Sequence, residues 1–176
     1  MRQLRVPLFF AAVIAALLGI ACGDKPAYPV RTYPMGDRVE LGHIIYTAFE
    51  TQWLTQIPQE PTPRVPQHRF FLVRLSAVNS SGGDLVVPNL TIQDDHGKSY
   101  QELSNGDGVP QWIGFLRQVK PADSLQGYIV FDAPPAHYKL RVTDEDDERV
   151  ALIDIPLNFG AETPDVPIPG IPKQER

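Results

Sequence analysis

The chain has 176 residues, 18 of them proline, a single cysteine, 21% charged residues and a net charge of −5. This size suits one domain with tails, and the acidity excludes nucleic acid as a partner and charge as the main source of membrane affinity. The lone cysteine, Cys22, excludes an intramolecular disulfide and a cysteine-built zinc site.

Residues 1–21 have the layout of an export signal. Arg2 and Arg5 form a positive start, Val6 to Leu18 form an apolar run, and Gly19, Ile20 and Ala21 precede Cys22. The apolar run is short for a membrane span, which needs ~20 residues. Cleavage before Cys22 takes away Arg2 and Arg5 and moves the charge from −5 to −7. Cys22 followed by Gly23 and Asp24 resembles the bacterial lipobox, in which the cysteine becomes the acylated first residue of the mature protein; Gly19 stands where that motif usually has leucine. Two or three acyl chains anchor a protein durably. The expectation is a lipoprotein attached to a bacterial membrane through its N-terminal lipid and facing the periplasm or the cell surface.

Residues 22–35 are proline-rich and read as a tether, with a first edge strand near Val30 to Tyr33. The sandwich domain is expected over 36–159. Its strands show period two and no long segment has helical period. Residues 38–54 alternate in two phases: Ile45, Thr47, Phe49, Thr51 and Trp53 share one face, Ile44, Tyr46 and Ala48 the other, with Gly42 as kink or turn. Residues 57–67 are a proline-rich loop. Residues 68–79 form the clearest strand; Arg74 and Ser76 mark its wetter face, which assigns Phe71, Val73, Leu75 and Ala77 to the core. Residues 85–93 and 98–103 make a hairpin over 94–97, where Gly97 supplies a positive φ. Residues 104–120 are a long connection with a short helical turn over 110–116. Strands over 124–131, 137–143 and 149–157 follow, the last two joined by the acidic run 144–148. Residues 160–176 are a proline-rich tail expected to be disordered or extended. Seven or eight short, mostly antiparallel strands at this spacing predict an all-β immunoglobulin-like sandwich.

In order and spacing, 36–39 (GDRV), 42–47 (GHIIYT), 70–79 (FFLVRLSAVN) with Ser80, 90–100 (LTIQDDHGKSY) and 120–134 (KPADSLQGYIVFDAP) carry a resemblance. The chain is similar over about 36–157 to a domain-of-unknown-function family of immunoglobulin-like sandwiches found on bacterial lipoproteins and secreted proteins. That family is related in fold to the mycobacterial immunoprotective extracellular protein and is sometimes labelled telomeric-repeat-binding-factor-like. The resemblance implies a fold and an extracytoplasmic location, and it carries over no catalytic residue. The loop 57–67 and the turn 120–123, where the family more often has Pro-Gly, depart from the pattern.

No catalytic constellation stands out, so the chain is read as a non-enzyme without a cofactor. His43, His68, His96 and His137 lack metal-ligand spacing; His68 and His137 begin strands and could meet in space. Asp144, Asp146, Asp147 and Glu148 are a calcium candidate, weighed against a solvated hairpin tip. Asp94, Asp95 and His96 read as turn chemistry. Trp112, Ile113 and Phe115 in the long connection are the candidate binding loop, weighed against a plug over an open end of the sandwich. The expected role is a binding module for a cell-envelope partner. The alternatives are a structural accessory of an envelope complex and a calcium- or metal-assisted hydrolase, which would need the carboxylates of 94–95 and 144–148 to converge.

Overall fold

The structure is a computed structural model that describes residues 28–157. The signal, Cys22 and the tail 160–176 lie outside the described residues. Eleven strands form three groups. The first sheet runs in the order β1 (Arg31–Pro34), β11 (Val150–Ile155), β10 (Tyr138–Thr143), β6 (Thr91–Asp94) and β7 (Ser99–Gln101). The second runs β2 (Val39–Leu41), β3 (Ile44–Leu54), β4 (Arg69–Asn79) and β9 (Ser124–Ala133). A two-stranded ribbon pairs β5 (Leu85–Val87) with β8 (Arg117–Val119). All pairings are antiparallel except β1 with β11. The architecture is the expected immunoglobulin-like sandwich.

The strand count exceeds the expected seven or eight for identifiable reasons. The edge strand expected near Val30 to Tyr33 forms at 31–34, where it pairs with β11 and adds to the count. Residues 85–93 are not one strand: β5 stops before Pro88 and leaves to pair with β8, and only β6 forms the hairpin with β7. A proline has no N–H to give a ladder, so the chain breaks there. The connection 104–120 holds no helical turn; it ends in β8, and its irregular part runs along β9. Gly97 has the expected positive φ, +83°.

Both phases expected for β3 occur, and a bulge explains how. The register slips between Ala48 and Glu50, leaving Phe49 without a partner on β4. Before the bulge Ile44, Tyr46 and Ala48 face the core; after it Trp53 does, stacked on Phe71 with ring centroids 4.3 Å apart. An extra residue in one strand turns its side chains over. The main core lies between the two sheets, where Phe71, Val73, Leu75 and Ala77 meet Leu140, Val142 and Ile153. Burying each large apolar side chain stabilises by roughly 1.5–3 kcal/mol. Phe71 is also 5.7 Å from the Tyr138 ring, and Tyr100 meets Tyr138 edge-on at 5.8 Å.

Two buried polar pairings complete the interior. Glu102 and Arg117 form an ion pair closed to solvent, and the second Glu102 oxygen accepts the Leu90 amide at 2.8 Å. Arg117 Nε and Nη1 find no acceptor. The Tyr46 hydroxyl donates to the Thr143 carbonyl at 2.9 Å, and burial holds its pKa well above the usual tyrosine range.

Candidate functional site

The face of β4 read as wet is only half so. Arg74 and Ser76 are partly exposed there, but Phe70 and Leu72 are buried under a second, smaller cluster with Ile57, Val109 and Val130. Its roof is made by the two long irregular segments, 57–67 and 103–113. They lie far apart along the chain, and the structure joins them. Arg64 donates to the Asn105 carbonyl at 2.6 Å and lies over the Phe70 ring at 5.1 Å. Ile57 and Arg64 exchange both backbone hydrogen bonds, at 2.9 Å each. Gly108 lets the segments touch: a Cβ there would stand 2.2 Å from the Pro58 carbonyl oxygen.

The roof is pinned along the free edge of β9. The Leu103 amide donates to the Val130 carbonyl at 2.7 Å, Tyr128 donates to Gln111 at 2.9 Å, and Ile113 donates to Tyr128 at 3.2 Å. Gly127 is the permissive residue, since any Cβ there would fall 2.0 Å from the Gln111 carbonyl oxygen. These broken pairings cover an edge that would otherwise offer unpaired backbone groups to another strand.

Trp112 and Ile113 are packed against the interior and also line an opening at the surface. Trp112 packs on the small cluster and Ile113 on the main core, and Phe115 is half-buried. Trp112 and Ile113 also wall an open cleft of about 410 Å³ with Arg74, Gln111, Leu125 and Gln126. Arg74 lies over the Phe49 ring at 5.3 Å and the Tyr128 ring at 5.9 Å, and is 3.3 Å from Glu50, which accepts the Tyr128 hydroxyl at 2.9 Å. The result is a cation held between aromatic faces, with its charge balanced. Sequence reading missed Arg74 as a site residue; a lone arginine in an apolar strand beside Phe70 and Leu72 was the available signal. It also missed Leu116, which is 89% exposed beside Phe115. Leu116, Gln118 and Val86 share the outward side of the β5–β8 ribbon by strand alternation, and Val86 is exposed too.

The acidic run organises a turn. Asp144 is buried and accepts the Glu148 and Arg149 amides at 2.8 and 3.1 Å. Asp147 pairs with Arg141 at 3.0 Å. Glu145 accepts the His43 amide at 3.1 Å and also pairs with its ring; burial opposes its ionisation, but the His43 hydrogen bonds outweigh this and leave its pKa lowered. Asp144, Asp147 and Glu145 thus turn to separate partners. Among the described residues no three His, Cys, Asp or Glu side chains are placed to hold a metal ion.

Asp94 is turn chemistry, its carboxylate accepting the His96 and Lys98 amides at 2.9 and 2.8 Å. By strand register the 94–97 turn lies beside Tyr138 and the acidic turn beside Val150, at opposite ends of β10. The carboxylates a hydrolase would need do not converge. His68 is 3.5 Å from Asp132. His137 is clamped: Nδ1 is 3.0 Å from both Asp95 oxygens and Nε2 is 2.9 Å from Asp154. Both ring nitrogens face carboxylates, an arrangement that favours the protonated ring, in which both nitrogens donate. The Asp95 hydrogen bond raises the His137 pKa, and the same bond lowers that of Asp95.

No protein-family model matches the chain, and no curated protein matches it in sequence. Solved structures share its fold. The secreted protein MPT63 of Mycobacterium tuberculosis aligns with TM-score 0.55 at 17% identity, covering 73% of this chain and 99% of its own. The yjhA protein of Bacillus subtilis aligns with TM-score 0.53 at 12% identity, covering 70% of this chain and 99% of its own. An uncharacterized β-sandwich protein of Clostridium difficile aligns with TM-score 0.50 at 11% identity, covering 76% of this chain and 99% of its own. At these identities the likeness is one of architecture: this chain is an all-β sandwich similar to those bacterial proteins.

Proposed function

We propose that the protein is a lipid-anchored extracytoplasmic lipoprotein whose sandwich is a binding module for a cell-envelope partner, and that it is not an enzyme. The observation that carries this reading is the roof on β4 and β9: two irregular segments, locked together by Arg64 and Gly108, wall an open cleft and stand beside the exposed Leu116. Long loops held on a rigid sheet are where binding residues concentrate. The anchor rests on Arg2, Arg5, the apolar run and Cys22. MPT63 is described as secreted, and this reading likewise places the present chain outside the cytoplasm.

Two measurements test it. An alkyne-palmitate fed to cells should label the wild type and not Cys22→Ser. A photo-crosslinking amino acid at Leu116 should yield one discrete adduct in native membranes, absent when the crosslinker stands at Ser99 on the other sheet. An unlabelled wild type contradicts the anchor. Identical adducts from both positions, or none, contradict the binding surface.

A further inference from the structure

A second cleft, of about 220 Å³, lies at the opposite edge of the molecule, where the described chain begins. Tyr28, Arg31, Tyr33, Leu41, Arg149 and Ala151 line it. Tyr28 is 48% exposed with its ring 4.7 Å from the Arg149 guanidinium, and Val30 beside it is 57% exposed. Arg31 is exposed and has no acidic partner among the described residues. The sequence alone excluded charge-driven membrane binding, but the structure separates the charges locally. Glu145 is turned to His43, Asp147 to Arg141 and Asp144 to backbone amides, with Arg149 3.9 Å from Asp144; Glu40 is 4.0 Å from Arg38. Asp146 is the hairpin carboxylate left without a partner among the described residues.

Chain length decides what this edge meets. Six residue steps separate Cys22 from Tyr28, and an extended chain spans at most ~3.6 Å per step, so the Tyr28 Cα cannot lie farther than about 22 Å from the Cys22 Cα. Tyrosines are enriched at the membrane interface, and a guanidinium matches a phosphate with paired donors. Resting on the lipoprotein reading above, the geometry points to the cleft of Tyr28, Arg31 and Arg149 as a docking site for phospholipid headgroup phosphates of the membrane that holds the anchor. The acyl chains supply affinity and this edge sets orientation. The domain then sits with β1 on the bilayer and the 94–97 turn directed away from it.

The mature chain from residue 22 can be coupled through its single thiol to a maleimide-bearing phospholipid, which makes this test independent of acylation in cells. In nanodiscs of phosphatidylglycerol and phosphatidylcholine doped with a gadolinium-chelating lipid, amide signals of 30–33 and 149–151 should broaden while those of 94–97 stay sharp. Arg31→Glu should lower the docked-to-free ratio about fivefold or more, from the ~1 kcal/mol that one arginine contributes near an anionic surface. Nanodiscs of a phosphate-free glycolipid should remove the selectivity. Equal broadening at both ends, or selectivity unchanged by Arg31→Glu and by the glycolipid, would overturn the site. Because Arg149 also touches the acidic turn, Arg31 is the variant of choice; it is exposed, and sharp dispersed spectra confirm its fold. An unlabelled Cys22 in cells would instead count against the anchor, with the docking result standing on its own.

Discussion

Strand β4 buries apolar side chains on both faces, but by different means. Phe71, Val73, Leu75 and Ala77 are closed over by a second sheet, whereas Phe70 and Leu72 are closed over by loops. The sheet-closed side is a continuous ladder with stacked aromatic rings. The loop-closed side is a few hydrogen bonds, one arginine and glycines that allow backbone to approach backbone. Loops so held are expected to open without unfolding the sandwich, as stability is rarely uniform across a structure. In the proposed reading the first side is the scaffold and the second the surface that meets a partner.

The contrast can be broken from either side. Phe71→Ala removes a ring stacked on Trp53 and close to Tyr138, and we expect a loss of ~3–5 kcal/mol in denaturant unfolding. Glu102→Ala should cost a similar ~3–5 kcal/mol, because it strands the Arg117 charge in the interior. Gly127→Ala should cost less, ~1–3 kcal/mol, by forcing the Gln111 carbonyl off β9. Its signature should be fast amide exchange at Ile113 and Tyr128 with β10 and β11 unaffected. Equal loss of protection across both sheets would show the roof to be part of one cooperative core. Leu116→Asp should change stability by no more than ~0.5 kcal/mol while removing the adduct formed from a photo-crosslinker moved to the exposed Val86 on the same ribbon.

The clamp at His137 gives a pH signature separate from both sides. Its folded pKa is raised above the ordinary 6.5, so its contribution is complete below that value and is lost as pH rises through the raised value. Asp95 has the opposite sense: its pKa is lowered from 3.8, so its contribution is present above 3.8 and is lost as pH falls through the lowered value. Thermal unfolding of His137→Gln against the wild type should therefore show a gap that narrows as pH rises above 6.5 and through the raised value. A gap independent of pH would mean that the imidazolium adds nothing.

The sandwich was legible because strands leave a period-two record: β4, β9, β10 and β11 fall where alternation and turns place them. The bulge at Phe49 was not, since one extra residue in an alternating run reads only as two competing phases. The split of 85–93 at Pro88 was half legible; proline announced a break, but the partner of β5 is more than 25 residues away in β8 and no local signal names it. Trp112 and Ile113 stood out by type and by the irregular loop around them, and both line the cleft. That they meet Arg74, and that 57–67 roofs the same face, depends on contacts distant in sequence. The acidic run drew attention as a cluster, yet Asp144, Glu145 and Asp147 turn to amides, His43 and Arg141, which only the folded chain brings near.

The most direct test of the adaptable roof is native-state hydrogen exchange on the full mature chain in rising denaturant. The amides of Ile57, Arg64, Leu103 and Ile113 should exchange through a sub-global opening well below the free energy that protects Val73, Leu140 and Ile153. If all seven converge on one unfolding free energy at every denaturant concentration, the roof is core, and the distinction between scaffold and surface falls.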